Sequence, residues 1–136
     1  MKALILLIWA AGAVQLLILA ANFVMPTKLN CRENLLHVSP MIRSVFVVHW
    51  AYILLILGIF SALCFLFAPE LAGGSRLGRF LSAAIALFWL PRLPIQLFVY
   101  DPDLRRNHRA ADVAMVLAIA ALVFVFGTAA LGIRLD

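Results

Sequence analysis

The chain has 136 residues, of which 66% are apolar and 12% are Asp, Glu, Lys or Arg, against roughly 45 to 50% apolar and about 25% charged in ordinary soluble domains. So few polar residues cannot coat a soluble core of this size, which leaves the bilayer as the solvent for most of the surface. The net charge of +5 comes from basic residues set between apolar runs, with no aromatic-interleaved patch; this excludes nucleic acid as a partner and points to membrane topology and lipid phosphate.

The first apolar run extends from Ala3 to Met25, before Pro26, long enough to cross a hydrocarbon layer of about 30 Å. Lys2 and the small residues Ala11, Gly12 and Ala13 would suit a cleaved leader, but the run continues well past a signal core and is read as the first helix. Ser39-Pro40 is an N-cap followed by the proline favoured at the first helical position, and it opens a second helix that runs to Ala68 before Pro69. At about 43 Å this helix must tilt or protrude. Gly73, Gly74 and Ser75 make a turn into a third helix, Leu77 to Tyr100, in which Pro91 and Pro94 each remove a donor and bend the axis. Asp101-Pro102 ends it, and a fourth helix covers Arg109 to Ile133.

The expected architecture is therefore an all-α integral membrane protein. It has a single domain over residues 1–136, with helices at 3–25, 40–68, 77–100 and 109–133 in an antiparallel four-helix bundle. Short connections make consecutive helices neighbours. Small residues at helical spacing, Ala110, Ala114, Ala118 and Ala121, with Ala83, Ala84 and Ala86, read as packing faces. Lys28, Arg32, Arg43, Arg105, Arg106 and Arg109 outnumber Lys2, Arg76, Arg79 and Arg134 on the opposite side. By the positive-inside rule both termini then lie outside, in a bacterial-type cytoplasmic membrane.

Polar residues inside apolar runs carry the functional information, because each is costly in lipid and belongs against protein or a water-filled cavity. Gln15 and Asn22 share a face of the first helix, and His49 and Tyr52 share one of the second. Trp89, Arg92, Gln96 and Tyr100 draw a stripe along the third. With Asp112 opening the fourth helix, these groups gather in the half of the bundle nearest the 26–43 connection, and the expectation is one ligand pocket there. Arg92, with no carboxylate at its depth, is expected to meet an anionic or carbonyl oxygen. Gln96, His49 and Tyr100 would orient the ligand, while Trp50 and Trp89 line its apolar part. His108 and Asp112, four apart, are placed to pair, and Arg105, Arg106 and Arg109 form a basic loop suited to lipid headgroups.

Cys31 and Cys64 fall near opposite membrane faces, too far apart to bridge. Zinc-type HExxH, CxxC, dinucleotide-binding and P-loop patterns are all missing, and no metal is expected. Haem and quinone are the cofactors to weigh, bis-histidine haem being disfavoured because His37 and His108 are interfacial while His49 is not.

In size and helix count the chain resembles the membrane-associated eicosanoid and glutathione metabolism family, whose Arg and Tyr residues hold a thiol substrate. Arg92, Tyr100 and Arg105 carry the resemblance; that family's Arg, Asn, Glu and Pro pattern on the second helix is not reproduced, Asn30, Glu33 and Pro40 standing at other spacings. The chain is also similar in size and residue types to the haem- and quinone-binding anchors of respiratory complexes.

The leading functional expectation is a binding or accessory subunit with a pocket for a lipid- or quinone-like ligand. The alternatives are a small membrane enzyme with Tyr100 or His49 as proton donor, and a purely structural subunit. Expected partners are membrane lipids, other membrane-protein subunits, or further copies of this chain.

Overall fold

The computed structural model describes residues 1–28, 30–99 and 102–133. Among them there is no strand, and four helical stretches are long and apolar enough to cross a membrane: Lys2–Lys28, Pro40–Leu66, Arg76–Val99 and Arg109–Leu131. Together with the composition, these make the chain a small polytopic membrane protein.

The helices are α1 (Lys2–Lys28), α2 (Cys31–Leu36), α3 (Pro40–Leu66), α4 (Ala68–Ala72), α5 (Arg76–Trp89), α6 (Arg92–Pro94), α7 (Pro102–Asn107) and α8 (Arg109–Leu131). Their starts follow the expected chemistry. The Ser39 hydroxyl accepts from the Ile42 N–H at 3.4 Å with Pro40 in the first turn, and the Ser75 hydroxyl accepts from the Gly78 N–H at 3.0 Å. Gly132, at φ 70°, closes α8 in the left-handed conformation. Its N–H donates to Ala129 O, and that of Ile133 donates to Thr128 O.

The first three spans depart from expectation at their boundaries. The first helix runs through Pro26 to Lys28, because a proline near a helix end removes a bond without stopping the chain. The second ends at Leu66, and Pro69 instead sits in the first turn of α4. The third span is interrupted at Leu90–Pro91, resumes as α6, and widens into a π-helical turn over Ile95–Val99. Pro91 and Pro94 thus unwind the helix locally as well as bending it.

Packing is antiparallel within two close pairs, α1 with α3 and α5 with α8, and α1 also packs on α8. Cross-contacts fix the directions. Asn22 meets Trp50 and Gly12 meets Ser61. At one end of the other pair Arg79 Nε donates to Ala130 O at 2.9 Å, and at the opposite end Gln96 meets Asp112. The expectation that all consecutive helices pack closely fails between α3 and α5, whose backbones make no extensive approach. The turn containing α4 separates them, and α4 packs on both α1 and α5. Phe60 and Phe88 bridge this gap edge to face at 5.2 Å.

Candidate functional site

The described polar residues do not converge on one pocket. They fall into three groups at different places in the fold.

The first is a chain of hydrogen bonds in the middle of the bundle. Trp89 on α5 donates its indole N–H to Gln15 Oε1 at 3.4 Å, and Gln15 Nε2 donates to Cys64 Sγ on α3 at 3.4 Å. Gln15, Cys64 and Trp89 are all buried. Beside them the Ser61 hydroxyl donates to Gly12 O at 3.3 Å. Gly12 is required there: a Cβ on it would lie 2.8 Å from the Cβ of Cys64. The chain ties three spans together, and each polar group in it is satisfied from within the protein. Gln15 and Trp89, expected to face a ligand, are therefore engaged with each other. Trp89 also sits edge to face against Phe88 at 5.4 Å. Cys64 is a hydrogen-bond acceptor, a role that becomes visible only once Gln15 is placed beside it. The Ser82 hydroxyl is the exception, buried without a partner among the described residues.

The second group lies outside the bundle core. His49 is exposed, with Nδ1 2.9 Å from Val45 O, and Tyr52 is 67% exposed. Both were expected in the pocket, yet both side chains are exposed, whereas the buried positions of α3 are Leu57, Ser61 and Cys64. Asn22 is half-buried on α1, its amide donating to Ile18 O at 2.8 Å, and its main-chain oxygen accepts from Trp50 Nε1 at 3.3 Å.

The third group sits where α5–α6, α7 and α8 meet. The π turn carries Gln96 inward, and its amide donates to Asp112 Oδ1 at 2.7 Å. Arg105 of α7 donates to Asp112 Oδ2 from Nε at 3.0 Å and from the second guanidinium nitrogen at 2.9 Å, while its third nitrogen donates to Leu97 O at 2.7 Å. Leu97 lies at the end of the third span, where carbonyls lack intrahelical donors. One carboxylate and one guanidinium thus fasten α7 to the ends of two spans. The expected His108–Asp112 pair is not formed. His108 precedes α8 with no side-chain cap bond, and Asp112 is taken by Arg105 and Gln96.

Around this brace Arg105, Arg106, Arg109 and Asp112 line an open recess of about 250 Å³. Arg106 and Arg109 are exposed, and neither pairs with a carboxylate among the described residues. A second recess, about 390 Å³, is lined by Pro26, Thr27, Asn30, Arg32 and Glu33 near the same membrane face. Arg43 is used locally: its Nε donates to Leu35 O at 2.9 Å, at the end of α2. Arg92 is half-buried and not free, so it is not the vacant cation anticipated. Tyr100 lies outside the described residues, and no cluster of three His, Cys, Asp or Glu able to hold a metal occurs among the described ones.

No family model, curated protein or solved structure matches this chain.

Proposed function

We propose that this protein is a lipid-binding accessory module that holds an anionic headgroup at the recess formed by Arg105, Arg106 and Arg109. One observation carries the reading: of the three arginines Asp112 pairs only with Arg105, so the recess keeps two exposed guanidinium groups, at the end of a membrane span, that pair with no carboxylate among the described residues. A guanidinium presents a planar fork of donors that matches phosphate oxygens. The same surface of a cytoplasmic leaflet carries the anionic lipids that basic juxtamembrane groups attract, at about 1 kcal/mol for each Arg close to the surface. The brace through Asp112, Gln96 and Leu97 holds α7 in place, so that Arg106 is presented from a fixed helix. On this reading the side faces the cytoplasm, supported by the predominance of basic residues there.

The test is native mass spectrometry of the full chain released from nanodiscs containing equal phosphatidylglycerol and phosphatidylcholine. Wild type should retain phosphatidylglycerol preferentially. The Arg106→Ala, Arg109→Ala double variant should lose that preference while keeping its thermal stability. Equal retention of both lipids by wild type, or an unchanged preference in the double variant, would refute the reading.

A further inference from the structure

The outward face of α3 carries two polar side chains at a depth where lipid offers them nothing. Tyr52 is one residue from the midpoint of this 27-residue helix, and His49 lies about 4.5 Å above it along the axis. Polar groups at the centre of a span ordinarily face protein or a water-filled cavity. Here both are exposed, on a face whose other members, Val45, Val48, Leu55 and Ile59, are apolar and also exposed.

The hydrogen-bonding state of the pair is complementary to itself. The Val45 carbonyl can only accept, so the His49 nitrogen 2.9 Å from it, Nδ1, carries a proton. In the neutral ring Nε2 then presents a lone pair. The Tyr52 phenol is a donor with no hydrogen bond among the described residues. A helical side chain leans toward the N-terminus and covers the turn before its own Cα. Both side chains lean that way, and the longer Tyr52 phenol reaches further, so that its hydroxyl approaches the level of the His49 ring. A two-fold axis along the membrane normal leaves depth unchanged and presents the same patch from both copies. The phenol of one copy then meets the imidazole of the other at matching depth, twice over.

We propose that α3 is a homodimer interface in which the Tyr52 hydroxyl of each copy donates to His49 Nε2 of the other, flanked by Val45, Val48, Leu55 and Ile59. A second copy is the occupant because it supplies, at the required depth, both the donor that His49 needs and the acceptor that Tyr52 needs. Burying these groups against each other removes two unsatisfied polar groups per protomer from hydrocarbon. This inference is independent of the headgroup site, which lies on other helices.

The test measures association of the full chain in phosphatidylcholine vesicles, by energy transfer between copies labelled at the C-terminus. Wild type should dimerise. Tyr52→Phe and His49→Leu should each weaken the dimer about five- to tenfold, the size of two hydrogen bonds between membrane helices. The double variant should be no weaker than either single one, since each already breaks both bonds. In a Cys31→Ser background, Val48→Cys should cross-link on oxidation, and Leu17→Cys, exposed on α1, should not. A monomeric wild type would leave the face to lipid or to an unrelated protein and overturn the proposal. So would unchanged association in both single variants, multiplicative effects in the double variant, or equal cross-linking at Leu17.

Discussion

Trp50 donates its indole N–H to the main-chain oxygen of Asn22 at 3.3 Å, and that oxygen is the one whose helical donor would have been residue 26. Pro26 has no N–H to give. A side chain from α3 thus satisfies a carbonyl that a proline in α1 leaves open, and Phe23 closes on the same indole edge to face at 5.9 Å.

Trp50→Phe should therefore cost about 0.5–1.5 kcal/mol, the usual worth of a hydrogen bond between membrane helices, read from unfolding in mixed micelles. Pro26→Ala restores the missing donor. In that background Trp50→Phe should cost less, and an undiminished cost would show that ring packing, not the bond, accounts for the effect.

Gly12 sets how closely α1 and α3 approach. With a Cβ here only 2.8 Å from that of Cys64, Gly12→Ala must push the helices apart, at about 1–3 kcal/mol. Gly127 in α8 has open space around its missing Cβ. Gly127→Ala should be neutral or stabilising by up to about 1 kcal/mol, as expected for removing a glycine from a helix interior. The pair of variants separates close packing from backbone propensity in one unfolding series.

The four spans were legible in the sequence because length and apolarity decide them, and so was the start at Ser39-Pro40, whose cap and proline act locally. Which face of each span turns inward was less legible. The first, second and fourth helices are apolar nearly all round, and in lipid an apolar side chain loses little by facing outward. The stripe Trp89, Arg92, Gln96, Tyr100 assumed an unbroken helix. The interruption at Leu90–Pro91 and the π turn change the rotation per residue, so Trp89 and Gln96 are both buried yet meet different helices. Asp112 looked like the partner of His108 from spacing alone. The chain between the third span and α8 brings Arg105 to it instead, a tertiary fact that no local spacing contains.

Gln15 is the middle link between Trp89 and Cys64. Gln15→Met keeps the side chain's length but leaves the Trp89 indole N–H buried without an acceptor, at an expected cost of about 1–2 kcal/mol. Far-ultraviolet circular dichroism should be unchanged, while the near-ultraviolet tryptophan signal should alter as Trp89 loses its fixed geometry. A variant as stable as wild type would mean that the register of the three spans is set by packing around Gly12 and not by the polar chain.

Asp112 is the joint through which α7 is fastened, since it accepts from both Arg105 and Gln96 and its side chain is only 11% exposed. Asp112→Asn keeps the shape, but removes the charge that holds the guanidinium and replaces one acceptor oxygen with a donor. Gln96 and Arg105 then face a group that cannot accept from both as before. Segment 102–107 should loosen, seen as faster amide exchange there, with little change in the distant half of α8 from Ile119 to Leu131. The freed Arg105 adds a third uncompensated guanidinium to the recess. Phosphatidylglycerol in the nanodisc should therefore slow exchange in segment 102–107 of the variant more than phosphatidylcholine does. Exchange in that segment unaffected by Asp112→Asn would show that α7 is held by other contacts. Loosening that phosphatidylglycerol does not reverse would count against a phosphate-binding role for Arg105.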